Sequence, residues 1–254
     1  MSNADREAPV AIVTGGSRGI GRAVAVALAR QGWNVCFSYA SNAAAAAETT
    51  AMVEKAGGRA LAVKADVASR EDTRRLFEAS HKAFGRLDAL VNNAGIVGGQ
   101  RSIFDADAEH LRSVFDANVL GTFYCVAEAA RAMSTKKGGR GGAIVNMSSA
   151  AARHGGMPLE AHYAASKGAI DSFTLALAKE LAPDGIRINA VRPGLINTEI
   201  HEVHGGQELL ARIGPTVPIG RAGTADEVAE VVAFLCGPLS SYVHGALLDV
   251  SGGR

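Results

Sequence analysis

Along the chain from residue 9 to residue 250, short runs of uninterrupted apolar residues alternate with longer segments whose apolar positions recur every three or four residues. The runs at 9–14 (PVAIVT), 33–39, 60–65, 88–92, 143–147, 186–191 and 246–250 have the length of strands and little polar alternation. That pattern predicts strands covered on both faces. The intervening segments predict helices from Gly19 (GIGRAVAVALARQG), over 43–56, from a Ser69 cap to Phe84, over 109–134, over 161–181 and over 227–235. Strand–helix alternation with continuous apolar strands implies an α/β fold, and right-handed crossovers make it one doubly wound, seven-stranded parallel sheet with helices on both faces.

Two segments break the rhythm. Residues 136–142 (KKGGRGG) read as a flexible basic loop, and 197–218, polar and rich in Gly and His, is too long for a turn and reads as a lid over a site. Nothing else marks a boundary, so 1–254 is expected to be one domain with a flexible 1–7. Composition narrows function by exclusion. A net charge of +1 gives no bulk attraction to nucleic acid or anionic membrane. Three scattered cysteines (Cys36, Cys125, Cys236) carry no metal spacing and read as reduced, buried thiols. With no apolar leader and no run of about 20 apolar residues, the expected location is cytoplasmic.

Candidate chemistry starts at TGGSRGIG (14–21), between the first strand and the first helix. Gly15, Gly19 and Gly21 let the backbone turn tightly, so that with Ser17, Arg18 and Ile20 it approaches a pyrophosphate at a helix N-terminus. That places a dinucleotide site at this turn, although the spacing is not G-x-G-x-x-G. Its cofactor depends on the second strand, where an NAD site usually carries a carboxylate for the ribose hydroxyls. Here the strand runs into CFSYASN (36–42), with Tyr39, Ser41 and Asn42 and no acid. Arg18 is then available to a 2′-phosphate, which favours NADPH/NADP over NAD; a solvated loop arginine is the plainer reading. Asp66 suits either the adenine amino group or a helix cap. Further along, Tyr163 and Lys167 stand four apart on one helix face, where an ammonium pulls a phenol down toward the working pH range. His162 beside them is at best a weak candidate for a second acid.

Taken in order, TGGSRGIG, Asp66-Val67, NNAG (92–95), Asn118 in DANVLG, IVNMSS, YAASK and Arg192-Pro193-Gly194 closely resemble the short-chain dehydrogenase/reductase family, in its single-domain branch, over about residues 8 to 253. The resemblance implies a Rossmann fold and a catalytic group of Asn118, Ser149, Tyr163 and Lys167. Tyr163 is the acid–base residue, and Lys167 holds the nicotinamide ribose and lowers the tyrosine pKa. Ser149 binds the substrate oxygen, and Asn118 holds a water that links Lys167 to solvent. It also implies cofactor contacts at Val67, Asn92, Ala94 and Gly95, a nicotinamide pocket shaped by Pro193 and Gly194, and carboxamide contacts from Ile196 and Thr198. Thr198 as an ordinary helix cap competes with that last role. One departure is visible: Ser149 to Tyr163 is a step of 14 where the family uses 13, which leaves Ser148 as the alternative to Ser149.

The implied reaction is hydride transfer between NADP(H) and a carbonyl or secondary alcohol. Sugar, polyol, steroid and 3-oxoacyl substrates are all admitted. The competing class is a dinucleotide-binding sensor or scaffold without turnover; four intact catalytic residues argue against it. His154, Met157, Leu159 and the lid at 199–210 are candidates for the substrate wall. His201 and His204 form at best a weak metal pair, so no metal is expected. Lys136, Lys137 and Arg140 read as a solvated loop before an acidic docking partner. An apolar face (Ala169, Ile170, Phe173, Leu177) and the family's habit favour a homotetramer, with core burial as the alternative.

Overall fold

The computed structural model describes residues 8–198 and 206–254. Seven strands form one parallel sheet: β1 (Val10–Val13), β2 (Asn34–Tyr39), β3 (Ala60–Lys64), β4 (Ala89–Asn92), β5 (Gly142–Met147), β6 (Ile186–Pro193) and, after a small side pair, β9 (Leu247–Val250). Their order is β3-β2-β1-β4-β5-β6-β9, so the winding reverses between β1 and β4. A ligand crevice opens at such a switch point, outside the carboxyl ends of the strands. The side pair, β7 (Ile196–Asn197) with β8 (Gly223–Thr224), is also parallel.

The strands read as continuous apolar runs because both faces are covered. One layer is built by α1 (Gly19–Arg30), α2 (Ala43–Lys55) and α9 (Ala225–Cys236); Val24, Leu28, Val228 and Val232 meet Val13, Val35 and Val145 there. The other is built by α3 (Arg70–Phe84), α4 (Ala108–Phe115), α5 (Gly121–Met133) and α7 (Ala161–Leu181), with Leu76, Cys125, Met133 and Leu181 against Ile12, Leu90, Ile144 and Ile188. Two short helices complete the chain, α6 (Ala151–His154) and α8 (Gly206–Ile213).

Ser69 caps α3 as its sequence predicts, accepting from the Asp72 amide at 3.2 Å. The segment expected as one helix over 109–134 is broken between α4 and α5 by a π turn, Asp116–Leu120. The break is put to use by Asn118, whose side chain turns inward and is claimed by the loop after β4. The region expected as a lid carries α8 and a 3₁₀ turn, Gly214–Thr216, whose Leu210 and Val217 pack on Leu195. The expectations placed on residues 1–7 and on 199–205, including His201 and His204, lie outside the described residues. All three cysteines are buried and unpaired, and burial pushes each thiol up to about 12. Among the described residues no helix is long and apolar enough to cross a membrane.

Candidate active site

At the switch point, the turn after β1 and the loop after β4 face each other and are tied together. Asn93 donates from Nδ2 to the carbonyls of Thr14 and Gly15, both at 3.0 Å, and Thr14 Oγ1 accepts from the amides of Asn93 and Ala94. The glycines of the turn are required by space. A Cβ on Gly21 would stand 2.3 Å from the Gly15 carbonyl oxygen, and Gly15 and Gly19 have φ of +63° and +53°.

α1 begins here with Arg18 at its N-cap position, extended, exposed and making no side-chain cap. No acid stands in its first turn. Every other long helix of that layer is capped: α2 by Asn42, and α9 by Thr224 with Glu227 in a reciprocal capping box. The open donors and positive dipole end of α1 fit the phosphates of a dinucleotide.

The remaining predicted cofactor residues fall around this turn with different freedoms. Tyr39 ends β2, and Ser41 is exposed beside it. Asn42 is already engaged, its Oδ1 accepting from the Ala45 amide at 2.9 Å. Asp66 likewise accepts from the Ala68 amide at 3.0 Å in the turn before α3, whose cap is Ser69 and not Asp66. Val67 is packed against Gly121. Asn92 donates to Asn146 Oδ1 at 2.8 Å inside the sheet, which leaves its backbone for the approach expected of it. Gly95 lies against the catalytic candidates rather than apart from them: a Cβ there would meet Asn118 Oδ1 at 2.9 Å and Lys167 Nζ at 3.5 Å.

Across the crevice, β5 and α7 bring the second group together. Lys167 is 6% exposed and donates from Nζ to the Met147 carbonyl at 2.8 Å. Its Nζ stands 5.8 Å from the centre of the Tyr163 ring. Ser149 is hydrogen-bonded to Tyr163, and its Oγ also accepts from the Ala151 amide at 3.1 Å, starting α6. Ser148, the alternative, also borders this space, but its hydroxyl donates to the Lys167 carbonyl at 3.2 Å. Asn118 bonds both polar groups of Ile96 and donates to Ser166 Oγ at 3.0 Å; Ser166 in turn donates to the Tyr163 carbonyl at 2.7 Å. Ser166 was not singled out from the sequence, yet it is fully buried and joins the loop after β4 to the Tyr163 turn. Its position three after Tyr163 was the available signal.

The electrostatics correct one expectation. Burial raises the Tyr163 phenol above its ordinary value; the Ser149 hydrogen bond lowers it and the Glu160 carboxylate raises it further. Burial outweighs the ammonium that the i+4 spacing places nearby; Lys167 is itself buried, and its own pKa falls to about 8, with Asp171 opposing the fall.

Tyr163, Lys167, Ser149 and Asn93 open into one cleft of about 150 Å³. Its far walls come from Pro193, Gly194, Ile196 and Thr198 after β6, from Leu209 on α8, and from His154 and Met157. Leu159 is half exposed and does not line it; its φ of +68° aims the peptide so that its carbonyl accepts from Arg101 at 2.8 Å. His162 is turned to the Val97 carbonyl, donating at 3.0 Å, and packs edge-on against His110. In the basic loop, Lys136 pairs with Asp184 at 2.9 Å. Among the described residues no three metal-ligating side chains gather.

Comparison with known proteins covers nearly the whole chain. The family model described as enoyl-(acyl carrier protein) reductase matches residues 15–254. A protein described as an uncharacterized oxidoreductase, YgfF of Escherichia coli (strain K12), is 44% identical over 245 residues, 96% of this chain and 99% of that one. The L-rhamnose 1-dehydrogenase (NAD(P)(+)) of Azotobacter vinelandii is 41% identical over 246 residues, covering 95% of this chain and 94% of its own. Among solved structures, the short-chain dehydrogenase/reductase of Serratia marcescens BCRC 10948 has a TM-score of 0.89 at 35% identity, covering 98% of both chains.

Proposed function

Because the chain belongs to the short-chain dehydrogenase/reductase family, we propose that it is an NADP(H)-dependent oxidoreductase acting on a carbonyl or secondary alcohol substrate, with Tyr163 as the acid–base group. The observation that carries this reading is the meeting of Tyr163, Ser149 and Lys167 at one cleft beside an uncapped helix start. The backbone of 15–21 would hold the pyrophosphate and Arg18 the 2′-phosphate, with Tyr39 and Ser41 nearby. Asp66 and Val67 would bound the adenine, and Ala94 and Gly95 the ribose. Pro193, Gly194, Ile196 and Thr198 would bound the nicotinamide. When bound, the nicotinamide supplies or accepts the hydride, and its oxidised form brings a positive charge to the phenol.

The protein's part is position and a proton. In reduction, the Tyr163 hydroxyl donates its proton to the substrate oxygen, and the Ser149 hydroxyl hydrogen-bonds that same oxygen as negative charge develops. The raised phenol keeps Tyr163 protonated at neutral pH, the form reduction needs. Lys167, held by Met147, favours the phenolate left behind, and the Asn118–Ser166 web fixes the turn that carries Tyr163. The exposed Leu120, Phe123 and Leu175, with Phe123 stacked on Phe173, support assembly through α5 and α7 into a homotetramer.

Fluorescence titration of the purified protein with NADPH and NADH, side by side, tests the cofactor. Tighter NADPH binding is expected; a preference for NADH removes Arg18 from its proposed role. A panel of ketones, sugars and 3-oxoacyl thioesters then tests turnover, and NADPH binding with no turnover on any of them would favour a binding-only protein.

A further inference from the structure

Asp171 stands one helical turn beyond Lys167 on α7, and the reading above gives it no part. Its carboxylate is buried, 7% exposed, which is costly for an unpaired charge. One oxygen, Oδ2, accepts from both Nε and Nη2 of Arg192 on β6, at 3.0 and 2.7 Å. The other, Oδ1, is buried with no hydrogen-bond partner among the described residues. The i, i+4 spacing puts this carboxylate and the Lys167 ammonium on one helix face.

The pair is also the start of a longer alternation of charge. Arg192 Nη1 approaches Asp249 on β9 at 3.8 Å, and Asp249 accepts from Arg153 on α6 at 2.9 Å. α6 is the helix started by Ser149. α7 and α6, the short helix that follows Ser149, are thus linked by alternating charges, Asp171, Arg192, Asp249 and Arg153.

We propose that Asp171 is a positioning residue whose carboxylate, steered by Arg192, keeps the buried Lys167 charged. This rests on the catalytic reading of Lys167 given above. Burial draws Lys167 down to about 8, and Asp171 is the one carboxylate acting against that among the described residues. The other titratable or charged groups on elements packed against α7 are Glu109, His110 and Arg112 on α4, Asp116 in the π turn, Arg153 and His154 on α6, Asp184 in the 3₁₀ turn that follows α7, and Arg187 and Arg192 on β6. Glu160, at the start of α7, acts on Tyr163 instead. Without Asp171, Lys167 would hold its proton only at lower pH. Without Arg192, a neighbouring positive charge is gone and the carboxylate is left to Lys167, so the shift runs the other way.

Two measurements test this. In the pH profile of kcat/KM for carbonyl reduction, the alkaline fall should move down by about one pH unit in Asp171→Asn and upward in Arg192→Gln, with Asp171→Glu restoring it toward wild type. A residue that only braces the fold would lower activity at every pH and leave the fall in place, which would overturn the proposal. If Asp171→Asn does not fold, Asp171→Ser takes its place in both measurements.

The second measurement needs no substrate. Urea denaturation midpoints are compared for wild type, Asp171→Asn, Lys167→Met and the double variant. The folded pKa of Lys167 lies below its ordinary 10.5, so the cost of its buried charge is full below about 8 and is relieved as pH rises. What Asp171 offsets is therefore present at pH 6 and gone by about pH 9. At pH 6, Asp171→Asn should lower the midpoint more when the lysine is in place than when it is replaced in the Lys167→Met background. At pH 9 the two drops should be equal. Equal lowering at both pH values would overturn the coupling, whether or not any turnover is found.

Discussion

Two basic side chains of the site live in opposite surroundings. Lys167 is buried, bonded to the Met147 carbonyl, backed by Asp171 and bordered by the Asn118–Ser166 web. Arg18 is exposed at the open start of α1, its side chain with no hydrogen bond or ion pair among the described residues. The first region is finished by the fold itself, before any ligand arrives. The second, on the proposed reading, offers donors and charge that an incoming anion would order. Chemistry demands the former, because a proton donor misplaced by about 1 Å loses rate. Binding tolerates the latter, because phosphate oxygens find an exposed guanidinium easily.

Breaking the finished region should have the largest effect. Tyr163→Phe is expected to lower the rate of reduction by at least about 10²-fold while NADPH still binds, read by steady-state kinetics beside titration. Loss of both together would make Tyr163 structural. The charge on Lys167 gives a second handle: above pH 8 the reduction rate should fall by roughly tenfold per unit as the ammonium loses its proton. A flat profile to pH 10 would remove that requirement.

At the open region, Gly21→Ala pushes a methyl into the Gly15 carbonyl and the Asn93 amide, 2.3 and 2.5 Å away. Overpacking of this kind costs about 1–3 kcal/mol, and the melting temperature should drop with NADPH and NADH weakened alike. Arg18→Ala touches nothing in the fold and should weaken NADPH by roughly 10- to 100-fold, the worth of a charge-assisted hydrogen bond, with NADH nearly unchanged. Equal weakening of both would show that Arg18 holds the pyrophosphate instead. The smallest effect sharpens the contrast between helix starts. Thr224→Ala removes the cap of α9 and should cost about 1 kcal/mol in denaturation with no change in cofactor affinity.

Much of this was legible along the chain because it is written in local patterns. Seven apolar runs became the seven strands of one parallel sheet, since a strand covered on both faces has no polar side to show. Ser69 announced its helix because a cap acts within three residues. The glycines of 15–21 were legible because turns of this kind exclude side chains.

What the sequence could not decide depends on partners far away in the chain. Helix periodicity alone ran 109–134 together, though the family resemblance implied a kink at Asn118; a π turn stands there, and Asn118 is held by Ile96, 22 residues earlier. Spacing placed an ammonium beside a phenol and so predicted a lowered tyrosine, but only packing reveals that burial outweighs it at both groups. Spacing left Ser148 and Ser149 both open, and only the fold reveals that the Ser148 hydroxyl donates to the Lys167 carbonyl. The Asp171–Arg192 pair joins positions 21 residues apart that no motif connects. Local propensity and backbone sterics are short-ranged, so the sequence alone determined the elements and the turn. Burial and charge act through space, so the protonation of the site was decided by the tertiary structure.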